Sequence, residues 1–512
     1  MRDTSSRHSL HAAARGLLGV AILLTSCCAG DKPPPLTHAT GEIAGEVTTS
    51  SVILQSRLTT GNHPYEGWPF EADVPGAAGV ARFELSTDVD FSGSFTTDWL
   101  EAAAEHDFVV KTRITGLDSG MRYYYRLEFG RSEHDTELGP RRSFKTLNGP
   151  EVASVASFVV VTGMNYAPFH LLNTDDDRQL GYRTLETILG MAPDFFVATG
   201  DNVYYDAPSM KENTPPRFRR PAADAASAMR KKWHQQLVQP RYVALFAEVP
   251  TYWEKDDHDY RYNDCDDTSP EDPPSPELGK RIFLEQVPVV DPTDPDATTY
   301  RTHRVNRDLQ IWLTEGRDFR SPNMAASGPD KTLWGVEQRE WLKQTLLESD
   351  ATFKLLISPT PMIGPDDLYK PHQSNPGDDE YKRDNHSNPH GFQFERDRFF
   401  EWLIDNDMLA RGFFIVCGDR HWQYHSISPE GFEEFSCGAL VDANSRLGRR
   451  PGDPESNDPE AKISQLYTQD EASGGFLMVR VAPAGEDGPA TLTFTWHDEH
   501  GVELHSTTRQ AS

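Results

Sequence analysis

The sequence is short of cysteine, of basic residues and of long apolar runs, and each shortage removes a class of protein. Five cysteines are spread over 512 residues. Cys27 and Cys28 stand near the start, leaving Cys265, Cys417 and Cys437, an odd number that excludes a disulfide framework and allows one bridge at most. Lys plus Arg number 50 against 79 Asp plus Glu, for a formal net charge of −29. A general affinity for nucleic acid or anionic lipid surfaces is therefore not expected, because like charges repel. An anionic substrate stays open, since a site rich in metal ions reverses the local potential. The apolar run near the start, Gly16 to Leu24, is too short to cross a bilayer as a stable helix, and no later segment is apolar enough. No internal repeat is evident. What remains is the composition of a soluble globular protein, 37% hydrophobic and 10% aromatic, at a length that implies two or more domains.

The first residues read as a processing signal. Arg2, Arg7 and Arg15 precede the apolar run, which ends in Leu24-Thr25-Ser26-Cys27. That ending resembles the lipobox of bacterial lipoproteins, which implies cleavage before Cys27, a lipid on that cysteine and a place in the bacterial cell envelope or periplasm. Paired arginines are missing before the run. Residues 27–40, polar and Pro-rich from Asp31, read as a tether.

From about 41 to 147 the pattern is all β. Short runs such as Val52-Ile53-Leu54, Arg82 to Leu85 and Phe108 to Ile114 are rich in β-branched and aromatic residues and are separated by Gly, Asp, Ser and Thr. Gly116 to Gly120 followed by Tyr123 to Leu127, with Ser143 to Thr146 as a closing strand, resembles a fibronectin type III sandwich. No catalytic constellation falls in this stretch. After Val152 compact apolar runs alternate with helical patterns. The runs are Phe158–Val161, Phe195–Ala198, Lys354–Ile357 and Phe413–Val416; the helices are Gly181–Met191, Val336–Leu347 and Arg396–Ile404. Such alternation predicts α/β structure with strands buried on both faces. Phe476–Val481 and Ala490–His497 read as closing strands. The segments Asp264–Gly279, Pro365–Pro389 and Asn444–Ala461 are polar, and read as surface loops, the middle one placed to close over a site.

In open α/β sheets function gathers where loops leave the carboxyl ends of strands. Here those ends carry Gly200-Asp201-Asn202-Val203-Tyr204-Tyr205-Asp206 and Gly418-Asp419-Arg420-His421, and between them lies Trp253-Glu254-Lys255-Asp256-Asp257-His258-Asp259. A glycine just past a buried strand permits a sharp turn, after which the Asp or His can point to a common centre.

Gly200-Asp201 with Tyr204, Asp256 to Asp259, and Gly418-Asp419 with His421 resemble, in order, the GDxxY, DDHE and GDxH motifs of the PhoD-like (alkaline phosphatase D) metallophosphatases. Gly335 to Leu342, with Gln338 and Trp341, resembles that family's G-x-x-Q-x-x-W-L helix, and Glu315 to Arg320 resembles its Asp-Thr-Arg segment loosely. The resemblance spans nearly the whole chain after the tether. It implies an α/β fold: a metallophosphatase β-sandwich flanked by helices over residues 152–505, behind the small all-β domain at 41–147, the tether at 27–40 and a signal peptide at 1–26. It also implies an exported phosphoesterase with two or more metals, iron with calcium first and manganese as an alternative. Oxygen-rich ligation suits such hard cations.

The residues support the same chemistry, because phosphoryl transfer needs positive charge around the equatorial oxygens and an activated nucleophile. Asp201, Tyr204, Asp257, Asn263, Asp419 and His421 are the candidate metal ligands. His258 is the candidate acid for the leaving alkoxide, Asn165 a donor to phosphate or a weak ligand, and Arg317 and Arg420 candidate phosphate clamps, although a surface salt bridge is the favoured reading of each arginine. Asp384-Asn385-His386 and His390, in the polar loop, are read as surface residues, with lining of a substrate mouth as the alternative for the first three, and His425 as part of a strand after the last motif. One departure stands out. The family carries a cysteine ligand in the turn after the first catalytic strand, and here Thr162-Gly163-Met164-Asn165 occupies that turn. Two alternatives stay open beside phosphate mono- or diester hydrolysis. One is action on another ester, a sulfate or phosphotriester, which pocket charge would decide; the other, motivated by Gly163, is a non-catalytic surface-binding lipoprotein.

Overall fold

The computed structural model describes residues 34–61, 73–173, 175–207, 223–294, 297–370, 381–486 and 488–511. The expected signal peptide and the start of the tether lie outside them. No helix among the described residues is long and apolar enough to cross a membrane.

Residues from Leu36 onward make one compact unit built on two large sheets. In the nine-stranded sheet the order is 503–510, 491–498, 475–482, 156–161, 195–199, 251–254, 42–45, 51–57, 109–115. In the seven-stranded sheet it is 301–304, 309–313, 353–358, 413–417, 433–437, 423–427, 464–468. The centre of each is parallel: 156–161 with 195–199 and 251–254 in the first, and 309–313 with 353–358 and 413–417 in the second.

Period-two alternation explains why these central strands are apolar throughout. Phe158, Val160, Phe195 and Val197 share one core with Leu355, Ile357, Phe414 and Val416, where the two sheets face each other. Their neighbours Val159, Val161, Phe196 and Ala198 turn outward into a second core with the helices Arg183–Met191, Ala226–Leu237, Pro240–Phe246 and Pro276–Gln286. Leu356 and Ile415 turn the other way, under the helices Gly335–Glu348 and Gln393–Asp405. The catalytic part is a sandwich of two sheets between two helical layers.

The N-terminal β region (strands within 36–145) has its own core, Val52, Leu54, Phe83, Tyr125, Leu127 and Phe144 among others. Three of its strands, 42–45, 51–57 and 109–115, also extend the nine-stranded sheet past Thr251–Glu254. The strand Glu503–Gln510 has no counterpart in the sequence reading. It is an edge strand pairing only with 491–498, and its exposed, Thr-rich alternation carries no apolar face to betray it.

One loop expectation is overturned. Asp366 and Asp384 to Asn388 are buried, not surface residues, and residues 371–380 of that segment lie outside the described set. The polar side chains bury one another: Asp366 Oδ2 accepts from Asn385 Nδ2 at 3.0 Å and from Asn388 Nδ2 at 2.9 Å, and its Oδ1 pairs with Arg420. His386 is likewise buried against Glu395 (3.0 Å), and His425 against Glu433 (2.6 Å).

Candidate metal centre

Three tight turns bring the site together. After the strand Phe195–Thr199, Gly200 has φ +76° and Asp201 +54°. A Cβ at Gly200 would lie 2.5 Å from the Asp256 Cβ, so only glycine lets these two strand ends approach. At the end of Phe413–Cys417 a Cβ on Gly418 would meet the Thr199 carbonyl oxygen at 2.4 Å, and Asp419 follows at φ +58°. The third turn, Thr162 to Asn165, is tied in by Met164 N–H donating to the Asp201 carbonyl at 2.9 Å.

Asp201 is the hub. Its Oδ2 accepts from the Tyr204 hydroxyl at 2.7 Å and lies 3.0 Å from His421 Nε2; Tyr204 and His421 are themselves 3.1 Å apart. Its Oδ1 is buried with no hydrogen-bond partner. Ligand atoms of Asp201, Asp257 and His258 lie within 4.8 Å of one another, and a second acidic group, Asp257, Asp264 and Asp384, shares Asp257. Burial, together with the charges of Asp257, Asp419 and Asp259, holds the Asp201 carboxyl well above the usual range, although His258 opposes this. His421 is pushed well below its ordinary value by burial and by Arg446, His258, Arg420 and Lys382, so its imidazole is neutral. Burial opposes charge on His258 too, yet Asp206, Asp257 and Asp201 overcome it and keep it cationic. Its Nδ1 lies 2.7 Å from Asp206 Oδ1, and its ring stacks on Tyr204 at 4.1 Å.

This donor set fits cations. Carboxylates converge in the dry interior, one oxygen is unspent, and the imidazole beside it is neutral. Asn165 Oδ1, buried at the head of the neighbouring helix, is also without a partner. Gly163 offers no ligand. It has φ +68°, and a Cβ there would stand 3.0 Å from the Ala439 Cβ and 3.2 Å from Asn444 Nδ2. Asn444 fills that corner, donating to the Gly163 carbonyl (3.0 Å) and to the Tyr204 hydroxyl (2.7 Å). Cys265 is a free buried thiol whose ionisation burial suppresses, and its Sγ points at the Asp257 carbonyl, 3.5 Å away.

Not every expected site residue takes its expected role. Arg317 is neither a phosphate clamp nor a surface residue. It is fully buried, and its five N–H groups go to Asp256 (2.8 and 2.5 Å), Asp384 (3.0 and 3.1 Å) and the Cys265 carbonyl (2.8 Å), leaving no donor for a ligand. Arg420 is buried between Asp366 and Asp419. Asn263 is exposed and contributes its backbone N–H to Asp206 Oδ2 at 3.0 Å. Sequence reasoning left out Asp206, which aligns His258, and Asn444, which anchors Tyr204. Asp206 carried a signal, standing two residues after Tyr204 on the same turn; Asn444 carried none. Asp259 braces the motif from inside, accepting the Asp256 N–H at 2.6 Å and the Asn202 side chain.

A two-sheet sandwich between helices, with buried carboxylates, a tyrosine and a neutral histidine at the strand ends, defines a metal-dependent phosphoester hydrolase. The chain belongs to the PhoD-like phosphatase family, whose model matches residues 158–480, with the family's N-terminal domain model matching 29–147. Among curated protein sequences none matches significantly. Of solved structures, one titled as PhoD superposes with a TM-score of 0.69 at 18% identity, covering 93% of this chain and 90% of that one. The purple acid phosphatase PPD1 of yellow lupin (Lupinus luteus) seeds gives 0.57 at 12%, covering 93% and 75%. At these identities both show the fold.

Proposed function

We propose that the protein hydrolyses phosphate monoesters, diesters or both outside the cytoplasm, tethered to the cell envelope by a lipid on Cys27. The unspent Asp201 oxygen among converging carboxylates carries the catalytic reading. Asp201, Tyr204, Asp257, Asp419 and His421 would hold the metals, which supply positive charge to the phosphate oxygens and an activated nucleophile. Oxygen-rich ligation favours hard cations such as iron with calcium, or manganese.

The chain's own residues then perform three tasks. Asp206 fixes the ring of His258, and the neighbouring carboxylates keep it protonated. From that position His258 donates a proton to the departing alkoxide. Asn444 and Asp201 fix the Tyr204 hydroxyl between them, and packing of Tyr204 against His258 holds the proton donor beside the ligand set. Bulk water is held off by the surrounding buried side chains.

Metal content measured by mass spectrometry, together with hydrolysis of bis-p-nitrophenyl phosphate, tests the reading. Bound metal with turnover abolished in Asp201→Ala supports it. A folded protein with neither metal nor turnover overturns it and leaves a surface-binding lipoprotein.

A further inference from the structure

Around the centre the arginines divide by burial and by how closely carboxylates already hold them. Arg317 is buried and has no donor left. Arg320 is buried too; it gives Nη1 to Asp384 at 2.7 Å and to the Cys265 carbonyl at 3.2 Å, and Nη2 to the Asp384 carbonyl, with Nε unpartnered. Arg420 is buried between Asp366 and Asp419, which take its two Nη groups, and its Nε is unpartnered. His258 gives its Nδ1–H to Asp206, and its other ring nitrogen is the one assigned above to the leaving group. Lys382 is buried, its ammonium 3.9 Å from the Asp264 carboxylate.

Arg446 differs. Its side chain is 42% exposed, and the recorded partner of its guanidinium is Asp367 at 3.4 Å, an aspartate held more closely by Arg449 at 2.6 Å. Its Nε is buried and has no acceptor. The backbone nevertheless pins it to the rim of the centre. Arg446 N–H donates to the His421 carbonyl at 3.0 Å, and two residues earlier Asn444 reaches the Tyr204 hydroxyl at 2.7 Å. The guanidinium carbon lies over Trp422, 4.9 Å from the ring centre, a contact that steadies the guanidinium before any ligand arrives. Its charge is felt at His421, where it is the largest influence after burial.

We propose that Arg446 is a substrate-binding residue that takes a free, non-bridging oxygen of the bound phosphate and thereby favours phosphomonoesters over diesters. The inference rests on the phosphoesterase reading above and names the substrate class within it. A monoester offers three non-bridging oxygens and up to two charges, whereas a diester replaces one oxygen by a second ester group. A planar, pre-set guanidinium at the rim, with unspent N–H groups, matches the former and gains little from the latter. Trp422 and the weak Asp367 contact keep the fork in place, so less ordering entropy is lost on binding.

The test compares the metal-loaded full chain with Arg446→Met and Arg446→Lys on p-nitrophenyl phosphate and bis-p-nitrophenyl phosphate, with inorganic phosphate as competitive inhibitor. Methionine keeps the contact with Trp422, and the thermal midpoint checks that the fold is intact. Arg446→Met is expected to lower kcat/KM for the monoester by about 10- to 100-fold, mainly through KM, and to weaken phosphate inhibition by about tenfold. The diester should lose less than about threefold, and Arg446→Lys should recover part of the monoester loss. Equal losses on both esters would reduce Arg446 to a structural prop, and no loss on either would remove it from binding; both overturn the proposal. A wild type that hydrolyses diesters alone overturns the monoester preference. A wild type that hydrolyses neither ester overturns the parent reading, a failure visible before any variant is made.

Discussion

Two buried polar regions sit side by side at the strand ends, built from the same residue types and behaving oppositely. In the lattice of Arg317, Arg320, Asp256 and Asp384, guanidinium donors meet carboxylate or carbonyl oxygens; Arg317 has no donor left, and only Arg320 Nε and Asp256 Oδ2 go without a partner. In the cluster of Asp201, Asp257, Tyr204 and His421, carboxylates converge, an oxygen is left over and the histidine is neutral. The lattice holds loops together. The cluster waits for cations. What separates a strut from a site here is whether arginines of the chain itself stand among the carboxylates, more than burial. A buried carboxyl has another way out: burial holds Glu254 well above the usual range, although Arg301, Thr199 and Thr314 oppose it, and it keeps its proton.

Asp201→Ala should break the contrast most completely. Turnover falls by about 10³-fold or more, as expected when a group that organises transition-state charge is removed, and a p-nitrophenyl ester assay reads it. Arg317→Met does the reverse. It strands Asp256 and Asp384 in the interior and is expected to cost about 3–5 kcal/mol of stability in denaturant unfolding, while molecules still folded retain their metal. Removing the metals with a chelator should lower the thermal stability of the wild type by about 2–3 kcal/mol if they were held at a hundredfold their dissociation constant. Adding metal back restores it.

The smallest effect concerns Glu499, a carboxylate with one recorded donor, the Asp442 N–H at 2.6 Å, on the segment that leads to Asn444. Burial, reinforced by Asp442, pushes its carboxyl up to about 7. A folded value above the unfolded one means that the stabilisation is complete below about pH 4.5 and is lost as pH rises through 7. Glu499→Gln should therefore leave stability unchanged near pH 4 and raise it by up to about 2 kcal/mol at pH 8. Urea melts at the two pH values check this.

The sandwich was legible because its central strands are buried on both faces and so appear as unbroken apolar runs, Phe158–Val161 and Phe413–Val416 above all. The meeting of Asp201, Tyr204, Asp257, His258 and His421 was legible because each follows a strand end, where a glycine or a short turn aims the side chain. The rest hid behind composition. A polar segment whose side chains satisfy one another, such as Asp366 with Asn385 and Asn388, has the same letters as a solvated loop. Arg317 in a loop near acidic motifs reads equally well as clamp or strut, because its partner Asp384 is far away in sequence. Asn444 and Arg446 follow no motif at all, and only the fold carries them to Tyr204 and His421.

The most direct test of the central claim, that cations are the missing partners of the Asp201 cluster, is the thermal midpoint of wild type and Asp201→Ala, each with chelator and with added metal. In chelator Asp201→Ala should unfold no lower than wild type, since it removes a carboxylate that lacks compensation; with metal the wild type should rise and the variant should not. A variant that melts well below wild type in chelator and gains as much from metal would contradict the account.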